Sequence, residues 1–516
     1  MVVLYVLIAL VVVGLLTAVH WYAWRRLIRD TTARGGRARR AGTAAAFALP
    51  LISVGALVAG RAGAPFPLQR ALAWPGYLWL ALLLYLTLAL LAGEAVRPLL
   101  RAWLDKSAGV RPTAGPGAPD GPPDGPPTAS AAADGVAAPA PAPAAVGTGA
   151  HEGAAAGDGK GPAAEGGPGA AVVSAAEAVA DGSIEDPAGA PGPAVTGPVA
   201  VTGPVTAAAG GGAAKPTAQA AATDAEGGAA APADPAAPAD PAPSRRLFVA
   251  RAVAVGATAV AAGTVGYGTY TVLRGPRVRR ITVPLAKLPR RAHGFRIAVV
   301  SDIHLGPILG RDHTRRVVET VNRTNPDLVA VVGDLVDGSV ADLGPAAEPL
   351  RGLSARHGGY FVTGNHEYYS GAAEWVDHVR ELGLRPLENE RTELPGFDLA
   401  GVNDIAGESE GQGPDFGKAL GDRDRSRASV LLAHQPVVIH DAVKAGVDLQ
   451  LSGHTHGGQL WPGTYVAELA NPTAAGLERY GDTQLYVTRG AGAWGPPVRI
   501  GAPPDITVVE LASTRA

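Results

Sequence analysis

The chain has 516 residues, too many for one ordinary domain, and its composition changes sharply along its length. Its formal net charge of −2 gives no case for nucleic-acid binding, and the absence of cysteine excludes disulfides and thiolate metal sites. Any metal must therefore be held by His, Asp, Glu or Asn.

Residues 1–106 read as a membrane region with about three transmembrane helices. Val2–Trp24 carries no Asp, Glu, Lys or Arg and is long enough to cross a hydrocarbon core of about 30 Å. A cleaved signal peptide is the alternative for this stretch, but no basic region precedes its apolar core and basic residues follow it. Ala41–Gly60 is a second, less apolar candidate, and leucine-rich Ala71–Val96 is the third. Arg25, Arg26, Arg29, Arg34, Arg37, Arg39 and Arg40 separate the first two, which places that loop in the cytoplasm by the positive-inside rule. The third span then ends inside, where Arg97, Arg101, Lys106 and Arg111 follow.

Residues 107–243 are rich in Ala, Pro and Gly, lack hydrophobic periodicity and cannot bury a core, so a disordered linker is expected. Coil scaling places its ends on the order of 60–70 Å apart. Residues 244–273 form a fourth apolar stretch with two open readings. It is either a transmembrane helix with a basic flank or a twin-arginine-like signal built on Arg245–Arg246 ahead of Leu247 and Phe248. Both readings make the chain a multi-pass cell-membrane protein with everything after residue 275 outside the cytoplasm. Arg274, Arg277, Arg279 and Arg280 run against that orientation.

Residues 281–516 have a globular composition. From Phe295 onward, short β-rich runs alternate with helical stretches. Arg296–Ser301 reads as a strand, Arg311–Asn325 as a helix, and PDLVAVVGDLVDG (residues 326–338) as a second strand with its loop. Leu343–Arg356 follows as a helix, GGYFVTGNHE (residues 358–367) as a third strand, and Gly371–Gly383 as a helix. Later strands are expected at Phe397–Val402, Ser429–Ala433, Val447–Ser452, Leu485–Thr488 and Ile506–Leu511. Continuous apolar strands between helices imply a sheet covered on both faces. Ligands of such sheets gather beyond the carboxyl ends of the strands.

Groups able to bind a divalent metal sit at those ends. Asp302 and His304 follow the first strand, Asp334 and Asp337 the second, and Asn365 and His366 the third. His434 follows SVLLA, and His454 and His456 follow VDLQLSG. The other histidines, His20, His151, His293, His313, His357, His378 and His440, lie at no such end and are expected to face solvent or pack.

Asp302-x-His304, Gly333-Asp334-x-x-Asp337, Gly364-Asn365-His366-Glu367, His434 and Gly453-His454-x-His456 resemble the five motifs of the calcineurin-like metallophosphoesterases. The GHTHGGQ form, with VTRGAGAWGPPVRIGAPPDITVVEL closing the domain, is most similar to a bacterial membrane-associated branch. The resemblance covers roughly residues 290–513. It implies an α/β (α+β) domain of two packed β-sheets flanked by helices.

It also implies two divalent metal ions, Mn, Fe or Zn. Asp302, His304 and His456 hold the first, Asn365, His434 and His454 the second, and Asp334 bridges them. A shared carboxylate offsets the repulsion of cations about 3.5–4 Å apart. The resemblance further implies attack by a metal-bound hydroxide, with His366 as general acid for the leaving oxygen or donor to the phosphoryl group and Asp337 orienting it. Arg489 and Gly458 are candidates for the substrate phosphate; Arg489 reads equally as a structural salt-bridge residue and Gly458 as a turn residue. Gly338-Ser339 stand where phosphoprotein phosphatases of the family usually carry Arg, which argues against phosphoprotein substrates. Glu367 has no assigned role.

The expected function is a membrane-tethered phosphoesterase. It would hydrolyse phosphodiester, pyrophosphate or phosphomonoester bonds, with lipid-linked phosphates of the envelope as substrates. The alternative is a lipid- or metabolite-binding membrane protein with a residual metal site.

Overall fold

The computed structural model describes residues 2–108 and 245–515. The expected linker lies outside the described residues, apart from its first two positions, which close a long helix. Four helices carry the apolar segments: α1 (Val2–Trp24), α2 (Arg37–Val58), α3 (Phe66–Ala108) and α4 (Arg245–Leu273). Among the described residues, Arg37–Val58, Phe66–Leu104 and Arg245–Leu273 are long and apolar enough to cross a membrane. The third helix is longer than the expected Ala71–Val96. Its extra first turns reach the globular domain, where Phe66 packs against buried side chains.

The globular part contains β1 (Arg277–Leu285), β2 (Phe295–Val300), α5 (Arg311–Asn322), β3 (Leu328–Val332), α6 (Val340–Ala347) and β4 (Gly359–Val362). Then come α7 (Asn365–Ser370), α8 (Ala372–Glu381), β5 (Leu384–Pro386), β6 (Glu390–Leu394), β7 (Phe397–Gly401), α9 (Phe416–Leu420) and β8 (Ala428–Leu432). The remainder is α10 (Ile439–Ala445), β9 (Leu449–Ser452), α11 (Gly463–Ala470), β10 (Gly476–Tyr480), β11 (Thr483–Val487) and β12 (Asp505–Ser513).

These strands form two six-stranded sheets, ordered β1-β12-β2-β3-β4-β5 and β10-β11-β9-β8-β7-β6. Strands β2 to β5 run parallel in the first, as do β7, β8, β9 and β11 in the second. Side chains alternate across each strand. Ile297 and Val299 face the other sheet, whereas Ala298 and Val300 face the helices. The inner layer joins Leu328, Ala330 and Val332 to Phe397, Leu399, Val430, Leu449 and Leu451 across the sheets. Trp375 of α8 and Val317 of α5 cover the first sheet, and Ile439 of α10 covers the second. The strand runs thus read as covered on both faces, but one cover is a second sheet rather than helices.

Three boundaries differ from the sequence reading. The domain starts before residue 281, because β1 pairs in register with β12 from Arg277 onward. The helix expected at Leu343–Arg356 begins earlier, since the Ser339 side chain accepts the amide hydrogen of Asp342 and caps it. It gives way to a tighter turn at Glu348–Gly352, where Pro349 has no N–H for the preceding turn. The helix expected to reach Asn325 stops at Asn322.

Candidate metal centre

The carboxyl ends of β2, β3 and β4 in one sheet and of β8 and β9 in the other point to the same place. A polar group leaving a buried strand must turn at once, and the backbone records this. Asp302, His304, Asp334, His454 and His456 all have φ between 48° and 71°. Non-glycine residues in that left-handed region cost about 1–3 kcal/mol each and persist where the surroundings over-determine them. Gly453 lets the β9 turn approach closely, since a Cβ there would strike Ser301 Oγ and the Asp302 carboxylate.

All seven residues expected to hold metal come together. Asp302, His304 and His456 offer ligand atoms within 4.8 Å of one another, and so do Asp334, His434 and His454. His304, Asp334 and His366 form a third such group, so Asp334 belongs to two of the three. Asn365 joins through Oδ1, 3.1 Å from His454 Nδ1. Asp302 and His304 are 0% and 1% exposed, and Asp334 and His434 2% and 1%, so water cannot solvate their charges.

Hydrogen bonds aim the rings. His304 gives its Nδ1 proton to Asp337 at 2.8 Å, which leaves Nε2 as the ligand atom. His434 Nδ1 likewise donates to the Val332 carbonyl at 2.9 Å, leaving Nε2 without a protein hydrogen-bond partner and 3.0 Å from Asp334. Burial pushes both inner carboxyls up. For Asp334 the imidazoles of His434, His366 and His304 outweigh burial and hold it well below the usual carboxylate range, whereas Asp302 stays raised. Two buried carboxylates facing open imidazole nitrogens suit hard or borderline cations.

His366 places Nδ1 2.8 Å from Asp337, so one carboxylate serves two histidines. Burial opposes its charge, but Asp334 and Asp337 outweigh that and push the His366 imidazolium up to about 9. Its ring lies edge-on to Trp494 and Tyr369, with centroids 5.8 and 5.5 Å away. Sequence reasoning missed this aromatic wall.

The two phosphate candidates are placed differently. Gly458 has φ +78° and a Cβ on it would strike the Thr464 backbone, so turn geometry and packing account for it. Arg489 is half-buried against Gly457 of the same turn and makes no ion pair among the described residues.

Glu367 is fully buried and accepts the amide hydrogens of Asp334, Leu335 and Gly364 at 2.9, 2.7 and 2.6 Å. It ties the β3 loop to the β4 loop. Arg499 was not anticipated. It is 1% exposed and donates to the Gly492 and His456 carbonyls and to His456 Nδ1, each at 2.7 Å. A guanidinium only donates, so the neutral His456 ring keeps its proton on Nε2, 3.0 Å from His304 Nε2. To offer Nε2 to a cation, the His456 ring would have to carry its proton on Nδ1 and release the Arg499 contact there. A lone arginine in the apolar run PPVRIG was the signal available in the sequence. Of the remaining histidines, His313 is buried, His20 accepts from Trp79 Nε1 at 3.1 Å, and His151 lies outside the described residues.

The calcineurin-like phosphoesterase family model matches residues 295–458, which hold every ligand named above. An uncharacterized metallophosphoesterase of Helicobacter pylori is 37% identical over 52% of this chain and 73% of its own length. One from Aquifex aeolicus is 36% identical over 46% of this chain and 91% of its own. The chain belongs to the calcineurin-like metallophosphoesterases. A zebrafish "transmembrane protein with metallophosphoesterase domain" is 41% identical over 48% of this chain, which spans 59% of that relative.

Proposed function

We propose that the chain is a membrane-tethered, dinuclear metal-dependent phosphoesterase. Its substrates are phosphodiester, pyrophosphate or phosphomonoester bonds carried by membrane lipids or their precursors. The observation that carries this reading is the convergence of Asp302, His304, Asp334, Asn365, His434, His454 and His456 from five separate strand ends. Asp302, His304 and His456 would hold one cation and Asn365, His434 and His454 the other, with the Asp334 carboxylate available to both. When bound, the pair supplies Lewis acidity toward phosphoryl oxygens and a water that loses its proton near neutral pH.

The protein's own groups do the rest. Asp337 fixes the proton of His366 on Nδ1 and favours its imidazolium, so the ring is charged and ready to donate to the leaving oxygen. Trp494 and Tyr369 pack edge-on against the ring. Arg489, whose side chain packs beside Gly457, is the proposed contact for an anionic substrate.

The arginine distribution supports an extracytoplasmic catalytic domain. Arg26, Arg97, Arg101 and Arg246 line one cavity of about 350 Å³, at the end of the helices remote from Leu273 and the globular domain. By the positive-inside rule that end is cytoplasmic.

The test is hydrolysis of bis-p-nitrophenyl phosphate by the full chain in detergent, with metal content measured in parallel. Two bound transition-metal ions and activity abolished by chelation are expected. Activity that survives both chelation and His366→Ala would overturn the reading.

A further inference from the structure

Beyond the metal centre, the most unusual surface is α11. None of its eight residues is buried, and Glu468 is its only charge. Tyr465, Val466 and Leu469 are 60%, 58% and 82% exposed, and Trp461, one turn ahead, is 47% exposed. Tyr465 and Leu469 lie four residues apart on one face of the helix with Val466 beside them, and Trp461 lies just ahead of the helix. An exposed apolar stripe of this kind in water is costly and marks an interaction site.

The structure also shows what lies beside the stripe. It begins where the domain touches the membrane helices. Tyr85, inside the span Phe66–Leu104, donates its hydroxyl proton to the Trp461 carbonyl at 3.0 Å. Leu460 and Ile500 pack into a cluster with Ala81, Tyr85 and Leu86 of α3 and Ala261 and Val265 of α4. Ala261 and Val265 also fall within a candidate span. The stripe therefore continues laterally from residues packed against two helices long and apolar enough to cross a membrane. It is also coupled to the centre, because Thr464 of α11 donates to the Gly457 carbonyl at 3.2 Å, one residue past His456.

We propose that Trp461, Tyr465, Val466 and Leu469 form a wedge seated in the bilayer around α3 and α4. The wedge holds the mouth of the metal centre at lipid level, so that a phosphate ester anchored in the bilayer reaches it without leaving the membrane. This deepens the proposed function. Only the purpose of the wedge rests on that reading, and its location does not. An aromatic residue at each of the first two positions suits the polar–apolar boundary, with the aliphatic pair deeper.

The chain contains no cysteine, so one introduced thiol labels one site. The experiment uses the full chain in vesicles of phosphatidylcholine and phosphatidylglycerol, with the fluorophore NBD on Leu469→Cys. The reference is Lys444→Cys on α10, a side chain 77% exposed. Lipid-borne nitroxide is expected to quench the Leu469 label at least threefold more than aqueous iodide does, with the order reversed at Lys444. Iodide quenching equal to that at Lys444 would overturn the wedge. Protection from both quenchers would also overturn it, since a protein would then be the cover. Hydrolysis of bis-p-nitrophenyl phosphate by the same labelled protein reports the metal centre separately. A lipid-buried label on an inactive protein supports the wedge and removes the phosphoesterase reading. An iodide-quenched label on an active protein does the reverse.

Discussion

Two regions meet at the turn His456–Gly458 and are built from opposite materials. On the strand side, Asp302, His304, Asp334 and His434 bury charge and lone pairs in the interior, several of them on strained backbone. On the α11 side, Trp461, Tyr465, Val466 and Leu469 expose large apolar groups. Both arrangements work against folding stability in water: buried polar atoms need partners, and exposed apolar ones need cover. Each region is thus unfinished in a different way. The first calls for cations, the second for a medium other than water. Substitutions on the two sides should separate chemistry from placement.

The largest effect is expected from Asp334→Asn. It removes a negative charge shared by two of the three candidate ligand groups and leaves His434 Nε2 facing an amide instead of a carboxylate. Hydrolysis of bis-p-nitrophenyl phosphate should fall at least about a thousandfold, because several kcal/mol of transition-state stabilisation are lost. Thermal stability should fall as well, because the imidazoles of His434, His366 and His304 favour the Asp334 charge in the folded chain. A drop of less than tenfold would detach Asp334 from the centre.

Asp337→Asn comes next. This carboxylate stands behind His304 and His366 rather than among the converging ligands, so about a 10–100-fold loss is expected. Because His366 also loses the partner that favours its charge, kcat should fall more than KM rises. A change confined to KM would show that Asp337 does not act through His366.

A third expectation concerns stability at a buried group outside the centre. His313 of α5 is 1% exposed with neither ring nitrogen bonded to protein. Burial, helped by Arg316 and Arg499, pushes it down to about 3. The unfolded chain therefore binds a proton below about pH 6.5 that the folded chain refuses until about pH 3, so stability is full above 6.5 and declines as pH falls through that window. At pH 5.5 the loss should be on the order of 1 kcal/mol. His313→Leu should flatten the melting temperature between pH 7 and 5.5. An unchanged slope would assign the acid sensitivity elsewhere.

How much of this was legible in the sequence depended on spacing. The metal ligands announced themselves because each apolar run ends at a strand tip, and a strand tip is where a side chain can leave the interior. Two packed sheets were not legible from the runs, since Ile297 and Ala298 are equally apolar whether they face a sheet or a helix. Glu367 was visible but had no reading: its partners are three backbone amides, and backbone leaves no trace in side-chain patterns. Arg499 contacts His456 from 43 positions away, a closure that no local window contains. The α11 stripe resembles ordinary helix composition until its exposure is known.

The smallest predicted effect tests the junction between the two regions directly. Tyr85→Phe deletes the hydroxyl that reaches the Trp461 carbonyl and nothing else of the ring. Its net contribution to stability should be about 1 kcal/mol, since the ring keeps its packing against Val498 and Leu460. Activity on a small soluble diester should stay within twofold, because no ligand or general acid depends on that bond. If activity collapsed instead, strain at Trp461 would be passing through Thr464 to the His456 turn. The wedge and the metal centre would then be one mechanical unit rather than two neighbours. Melting curves and kcat/KM measured on the same preparation tell these cases apart.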